Sequence, residues 1–164
     1  MYSHEPGGLF LRRKWTFRSG GRQLVVEKNR LESREHVLMK AFLWALYLPE
    51  YPDLQVEIRI GDRFKPDLIA RDESGRSIFW GESGKVKPSK IESILRRHRE
   101  AHLAVAKWDA NPKPYAREIE KILRGLRGTR RVDLLVFPGD SAERFIGTDG
   151  ELKINEGEYE VIRF

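Results

Sequence analysis

Apolar and polar residues alternate from Leu9 to Arg18 and again from Arg22 to Lys28, with Gly20-Gly21 between the two runs. Alternation on both sides of a glycine pair predicts a β-hairpin. The period then changes. From Ser33 to Leu48, residues Leu38, Met39, Phe42 and Leu46 recur at three- and four-residue intervals and share one face of a helix. Ser33 suits its N-cap and Pro49 stops it. Leu54 to Ile60 returns to strand alternation and ends at Gly61-Asp62. Two short apolar runs, Leu68-Ile69-Ala70 and Ile78-Phe79-Trp80, flank a turn at Asp72 to Gly75 and predict a second hairpin. Pro88 opens another helix, which Ser89 or Ser83 could help to cap, with Ile91, Ile94, Leu95 and His98 as its buried stripe. Ala101 to Trp108 is nearly all apolar, as a central strand covered on both faces would be. Pro112 and Pro114 begin a helix that buries Tyr115, Ile119, Ile122, Leu123 and Leu126, and Val132 to Phe137 is a further buried strand. Phe145-Ile146 and Tyr159 to Phe164, separated by turns at Asp149-Gly150 and Glu156-Gly157, predict a closing hairpin.

The core order is therefore helix, three strands, helix, strand, helix, strand. Strands joined by helical crossovers imply an α/β fold with a mixed β-sheet flanked by helices. At 164 residues the chain is expected to form one domain, 1–164. Within it the N-terminal hairpin takes 9–28, the core 33–137 and the C-terminal hairpin 144–164.

Composition narrows the chemistry. No run approaches the roughly 20 apolar residues of a membrane span, and the first residues lack an apolar signal core, so a cytoplasmic protein is expected. The absence of cysteine excludes disulfides, thiolate zinc sites and cysteine nucleophiles. Oxygen-ligated magnesium or manganese is the metal class that remains. The formal charge is +6, and Lys85 to Arg131 holds fourteen Lys or Arg against five Asp or Glu. A basic second half suits nucleic acid as a partner.

The candidate site lies between Arg63 and Ile91. The second hairpin brings Asp67 and Glu82 to the ends of neighbouring strands. Two carboxylates placed so close repel each other unless a divalent cation or a lysine stands between them. Lys85, Lys87 and Lys90 follow at once. Lys85 is three residues after Glu82, so on a regular strand the two side chains point to opposite faces. A bulge at Gly84 would restore the geometry; Lys90, from the next helix, is an equal choice, and Lys87 a third. Glu35 is in register with the apolar face of the first helix and is expected to point inward, with Glu32 as a neighbouring candidate. Trp44, Trp80 and Trp108 suit packing, and His4, His36, His98 and His102 show no zinc-ligand spacing.

Pro66-Asp67, Glu82 and a following lysine resemble the signature of the PD-(D/E)xK nuclease superfamily. Within it the chain is similar to the YaeQ-like family, through Pro66-Asp67-Leu68, Asp72 with Gly75, Trp80-Gly81-Glu82-Ser83-Gly84, Lys90-Ile91 and the upstream Ser33-Arg34-Glu35-His36. The resemblance spans roughly residues 20 to 110. It implies an α-β-β-β-α-β core of the restriction-endonuclease type, which agrees with the order read from periodicity. It also implies hydrolysis of phosphodiester bonds in DNA or RNA with Mg2+ or Mn2+. Asp67 and Glu82 would then hold the metal, Glu35 or the Ser83 carbonyl would complete its shell, and Lys85 or Lys90 would serve the attacking water. The alternative is a nucleic-acid-binding or protein-interaction module that keeps the fold without cutting.

Overall fold

A computed structural model describes residues 12–164 of the chain. Strands β1 (Arg12–Ser19) and β2 (Arg22–Asn29) pair antiparallel, with Ser19 opposite Arg22. Gly20 and Gly21 both take positive φ, which a two-residue hairpin turn of this hand requires. The expected start of this hairpin at Leu9 lies outside the described residues, as does His4. Helix α1 (Arg34–Tyr47) follows, and the Ser33 hydroxyl accepts the His36 backbone N–H at 3.1 Å. Val37 to Trp44 are all buried, so α1 is covered around its whole circumference rather than along one stripe.

The second sheet has six strands in the order β3-β4-β5-β6-β7-β8. These are β3 (Gln55–Val56), β4 (Leu68–Arg71), β5 (Ser77–Ser83), β6 (His102–Trp108), β7 (Arg131–Phe137) and β8 (Glu160–Arg163). The β5-β6 and β6-β7 pairs are parallel and the others antiparallel, so the sheet is mixed. Helix α2 (Pro88–Arg97) joins β5 to β6, and α3 (Pro112–Arg124) joins β6 to β7. Alternation along the strands sorts the core into two halves. Leu68, Ala70, Phe79, Ala104, Ala106, Leu135 and Phe137 face α1, whose other side is covered by Phe17 and Val26 of the hairpin. Ile69, Trp80, Leu103, Val105, Val132 and Leu134 face Ile91, Ile94 and Leu95 of α2 and Ile119 of α3. Among the described residues no helix is long and apolar enough to cross a membrane.

Two expectations need correction. The strand anticipated over Leu54 to Ile60 is cut to Gln55–Val56. Glu57 still donates its N–H to the Asp67 carbonyl at 2.8 Å, but its φ of +57 turns the backbone out of the extended conformation, and the strand ends there. The closing hairpin does not form either. Ser141 to Phe145 make a short helix, α4 (Ser141–Phe145), that buries Phe145, while β8 pairs antiparallel with β7. Covering the otherwise open edge of β7 outweighs pairing within a short polar tail.

At the start of β6 and β7 lies a buried polar cluster. The Asp133 carboxylate accepts the Tyr47 hydroxyl at 2.6 Å and His102 Nε2 at 2.8 Å, and Tyr51 Oη meets His102 Nδ1 at 2.9 Å. Burial would push the Asp133 pKa up, but the bonds from His102 and Tyr47 outweigh it and hold it below the ordinary 3.8. A depressed carboxyl contributes stability that is full above the unfolded-state pKa and is lost as pH falls through the folded one. Asp133→Asn should therefore lower stability at neutral pH by about 1–3 kcal/mol. It should also flatten the loss of stability below pH about 4. Urea titrations of both proteins at several pH values check this, and equal pH slopes would rule the account out.

Candidate active site at the carboxyl ends of the parallel strands

Asp67 immediately precedes β4 and Glu82 is the penultimate residue of β5. The register Leu68 to Gly81 sets the two acids side by side on the face that packs against α2. Glu82 is buried, with only 3% of its surface exposed. Its Oε2 accepts the Trp80 indole N–H at 3.0 Å, two residues back on the same face, and its Oε1 meets Lys90 Nζ at 2.5 Å. Burial and then the charge of Asp67 raise the Glu82 pKa, against the opposing bonds from Lys90 and Trp80. Asp67 Oδ2 accepts the Ser83 backbone N–H at 2.8 Å.

Of the three lysines, the structure brings Lys90 to the carboxylates. It sits in the first turn of α2, which Pro88 starts with Lys87 as N-cap. Its ammonium also lies 5.2 Å from the centre of the Phe64 ring, which Arg63 and Arg97 flank at 5.0 and 5.5 Å. Asp62 fixes that loop by accepting from Arg97, from His98 Nε2 at 2.9 Å and from the Phe64 N–H at 2.9 Å. Burial opposes ionisation of Asp62, yet these bonds pull its pKa down to about 2. Gly84 does take a left-handed φ of +79, but β5 has already ended at Ser83, and Lys85 and Lys87 are exposed.

The first helix contributes through different residues than its apolar register suggests. Glu35 is half-buried in the first turn, and the bonds of the site run through its neighbours. His36 Nδ1 meets Glu32 Oε2 at 2.6 Å and His36 Nε2 meets Asp67 Oδ2 at 3.3 Å. Burial would lower the His36 pKa, but the Asp67 and Glu32 carboxylates more than reverse this. Lys40, one turn further, is fully buried; its ammonium donates to Glu32 at 2.5 Å and to Glu57 at 2.7 Å. His36 and Lys40 stand four residues apart on one stripe of α1, and Glu32, just before the Ser33 cap, reaches both of them. That spacing was visible in the sequence. The contribution of Glu57 was not, because it depends on the left-handed turn that ends β3.

The arrangement is a row of alternating charges, Glu57, Lys40, Glu32, His36 and Asp67, beside the Glu82–Lys90 pair. Among the described residues no group of three or more His, Asp or Glu side chains forms a ready metal cage. Two adjacent carboxylates and no sulfur donor nevertheless fit a hard cation. Magnesium usually keeps several waters and takes only one or two carboxylates, with substrate phosphate completing its shell.

Replacing Lys40 tests the charge row. Lys40→Met leaves Glu32 and Glu57 without their shared counter-charge and should cost about 3–5 kcal/mol of stability. The triple change Glu32→Gln, Lys40→Met and Glu57→Gln should recover most of it, because no unpaired charge remains. Chemical denaturation of both proteins measures this; a loss in Lys40→Met below about 1 kcal/mol would show that the network contributes little.

No protein-family model matches the chain, and a search of the curated proteins finds no match. Solved structures do match. One is the YaeQ protein from Pseudomonas syringae, with a TM-score of 0.61 at 16% identity, covering 85% of this chain and 76% of that one. Another is the YaeQ protein from Xanthomonas axonopodis pv. citri, with a TM-score of 0.54 at 18% identity, covering 76% of this chain and 73% of that one. At these identities the likeness concerns the fold, and the fold of this chain is YaeQ-like.

Proposed function

We propose that the protein is a Mg2+- or Mn2+-dependent nuclease of the cytoplasm, built on a PD-(D/E)xK core and hydrolysing phosphodiester bonds in DNA or RNA. The observation that carries this reading is the Asp67–Glu82 pair at adjacent strand ends with Lys90 on Glu82. Cutting a phosphodiester requires an activated water, relief of negative charge at phosphorus and help for the leaving oxygen. Asp67 and Glu82 would hold the divalent cation, which when bound supplies a water of lowered pKa and neutralises phosphate charge. Lys90, which pairs with Glu82 in the resting site, would orient the attacking water and stabilise the charge that develops. His36 holds Asp67 in place from the side of α1, and Trp80 holds Glu82 from its own strand.

One observation favours a second reading. Both oxygens of Glu82 already have partners in Lys90 and Trp80, so the site is charge-balanced without a metal. That would suit a module that binds nucleic acid without cutting it.

Titration with Mg2+ and Mn2+, followed by heat flow, together with incubation on DNA and RNA, separates the two. The nuclease reading expects saturable metal binding and cleavage, both lost in Asp67→Asn/Glu82→Gln. It expects Lys90→Met to keep metal binding while cleavage slows by about 10²–10⁴-fold. Cleavage that survives the double replacement would sink the assignment. Salt-sensitive binding with no cleavage under either metal would establish the binding module instead.

A further inference from the structure

Three lysines of this fold hold their ammonium groups in or beside the core, and their partners differ. Lys40 donates to two carboxylates. Lys90 meets one. Lys107, the penultimate residue of β6, is 6% exposed, and among the described residues no carboxylate is in hydrogen-bond or ion-pair contact with it. Its Nζ donates to the Gly84 carbonyl at 2.5 Å and lies 4.3 Å from the centre of the Tyr115 ring. An ammonium has three N–H donors, and the Gly84 carbonyl takes one of them. Burial lowers the Lys107 pKa, opposed only by the more distant charge of Glu118. A buried cation with no carboxylate in contact is held at a stability cost, and perturbed charged groups of this kind concentrate at functional sites.

Its position says which ligand. Val105 is opposite Glu82 in the parallel β5-β6 pair and packs on the α2-α3 side of the sheet. Lys107, two residues on, points to that same side, as its stacking on Tyr115 of α3 confirms. It therefore stands one strand over from Glu82 and about 7 Å further along. Asp67, Glu82 and Lys107 come from three consecutive positions of the sheet and occupy one face at one end.

We propose that Lys107 is a phosphate-contacting residue, donating its free N–H groups to the backbone phosphate that flanks the carboxylate pair when a nucleic acid lies across the strand ends. The proposal rests on the nucleic-acid part of the functional reading and not on cleavage. An anionic phosphate supplies the missing counter-charge and two acceptors, which a neutral ligand would not. Lys107 acts on backbone, so it adds affinity without base preference.

The test uses a 12-nucleotide DNA duplex and the corresponding single strand, with chelator present so that binding is read apart from catalysis. Lys107→Met keeps the length of the side chain and removes its charge. It should weaken binding about ten-fold, equivalent to one charge-assisted hydrogen bond. It should also reduce the slope of log affinity against log salt by about 0.7–0.9, one phosphate contact. Its melting temperature should stay level or rise, since an unpaired buried charge is gone. Unchanged affinity and slope, or wild-type protein that binds neither strand form, would overturn the proposal. If Lys107→Met does not fold, the unaltered protein labelled with 13C-lysine decides: a saturable shift of the Lys107 Cε signal on adding the duplex supports the contact, and no shift overturns it. Wild-type protein that binds through Lys107 but never cleaves would end the nuclease reading and leave this one standing. Cleavage and binding that are indifferent to Lys107→Met would do the reverse.

Discussion

Glu82 is buried beside Asp67, so two negative charges meet where water can screen them only weakly. Each neighbouring element answers that repulsion. Pro88 starts α2 soon after β5 ends, which puts Lys90 in a first turn within reach of Glu82. The Asp62 loop, tied to Arg97 and His98 at the far end of α2, presents the Phe64 ring to the same lysine. Trp80 is a core residue by volume, yet its indole N–H is spent on Glu82. Without these groups the burial of Glu82 would require its protonation.

Asp67 is answered from the opposite side. Helix α1 lies between the hairpin and the sheet, so its polar residues have no route to water except at its first turns. Glu32, His36 and Lys40 occupy that end and link Glu57 to Asp67 through alternating ion pairs. Glu57 keeps its N–H on the Asp67 carbonyl, but its backbone leaves the strand at φ +57 and its carboxylate meets Lys40. A residue held in this conformation costs about 1–3 kcal/mol. Here the strain is offset by a bond to the one fully buried ammonium of the α1 face.

These couplings explain what could be read in advance. Periodicity located the elements from α1 to β7, because alternation and helical spacing are local and the core obeys them. It also located the acids, since a hairpin around Asp72 to Gly75 fixes which residues end its strands. It overextended β3, because the reason to stop at Glu57 is a lysine seventeen residues earlier in the chain. It misplaced the tail, because the need to cover β7 is a property of the sheet rather than of residues 144–164. Lys107 was hidden inside an apolar run, where a single lysine reads as an interruption. Only the parallel register of β5 and β6 reveals that it ends beside Gly84 and on the face of Glu82.

The two ends of the sheet treat buried polarity differently, and the difference bears on where function resides. At the start of β6 and β7, Asp133, His102, Tyr47 and Tyr51 satisfy one another through matched donors and acceptors. Such a closed set rigidifies a core and has nothing left for a ligand. At the other end the count is open. The Ser83 hydroxyl is buried with no hydrogen-bond partner among the described residues, and Lys107 keeps donors beyond its bond to Gly84. The surplus lies where the parallel strands end, the side of an open α/β sheet at which ligands bind. Native proteins leave few buried polar groups unsatisfied, and among the described residues both of these open donors stand at the end of the sheet that carries the paired carboxylates, not at the end that Asp133 and His102 close.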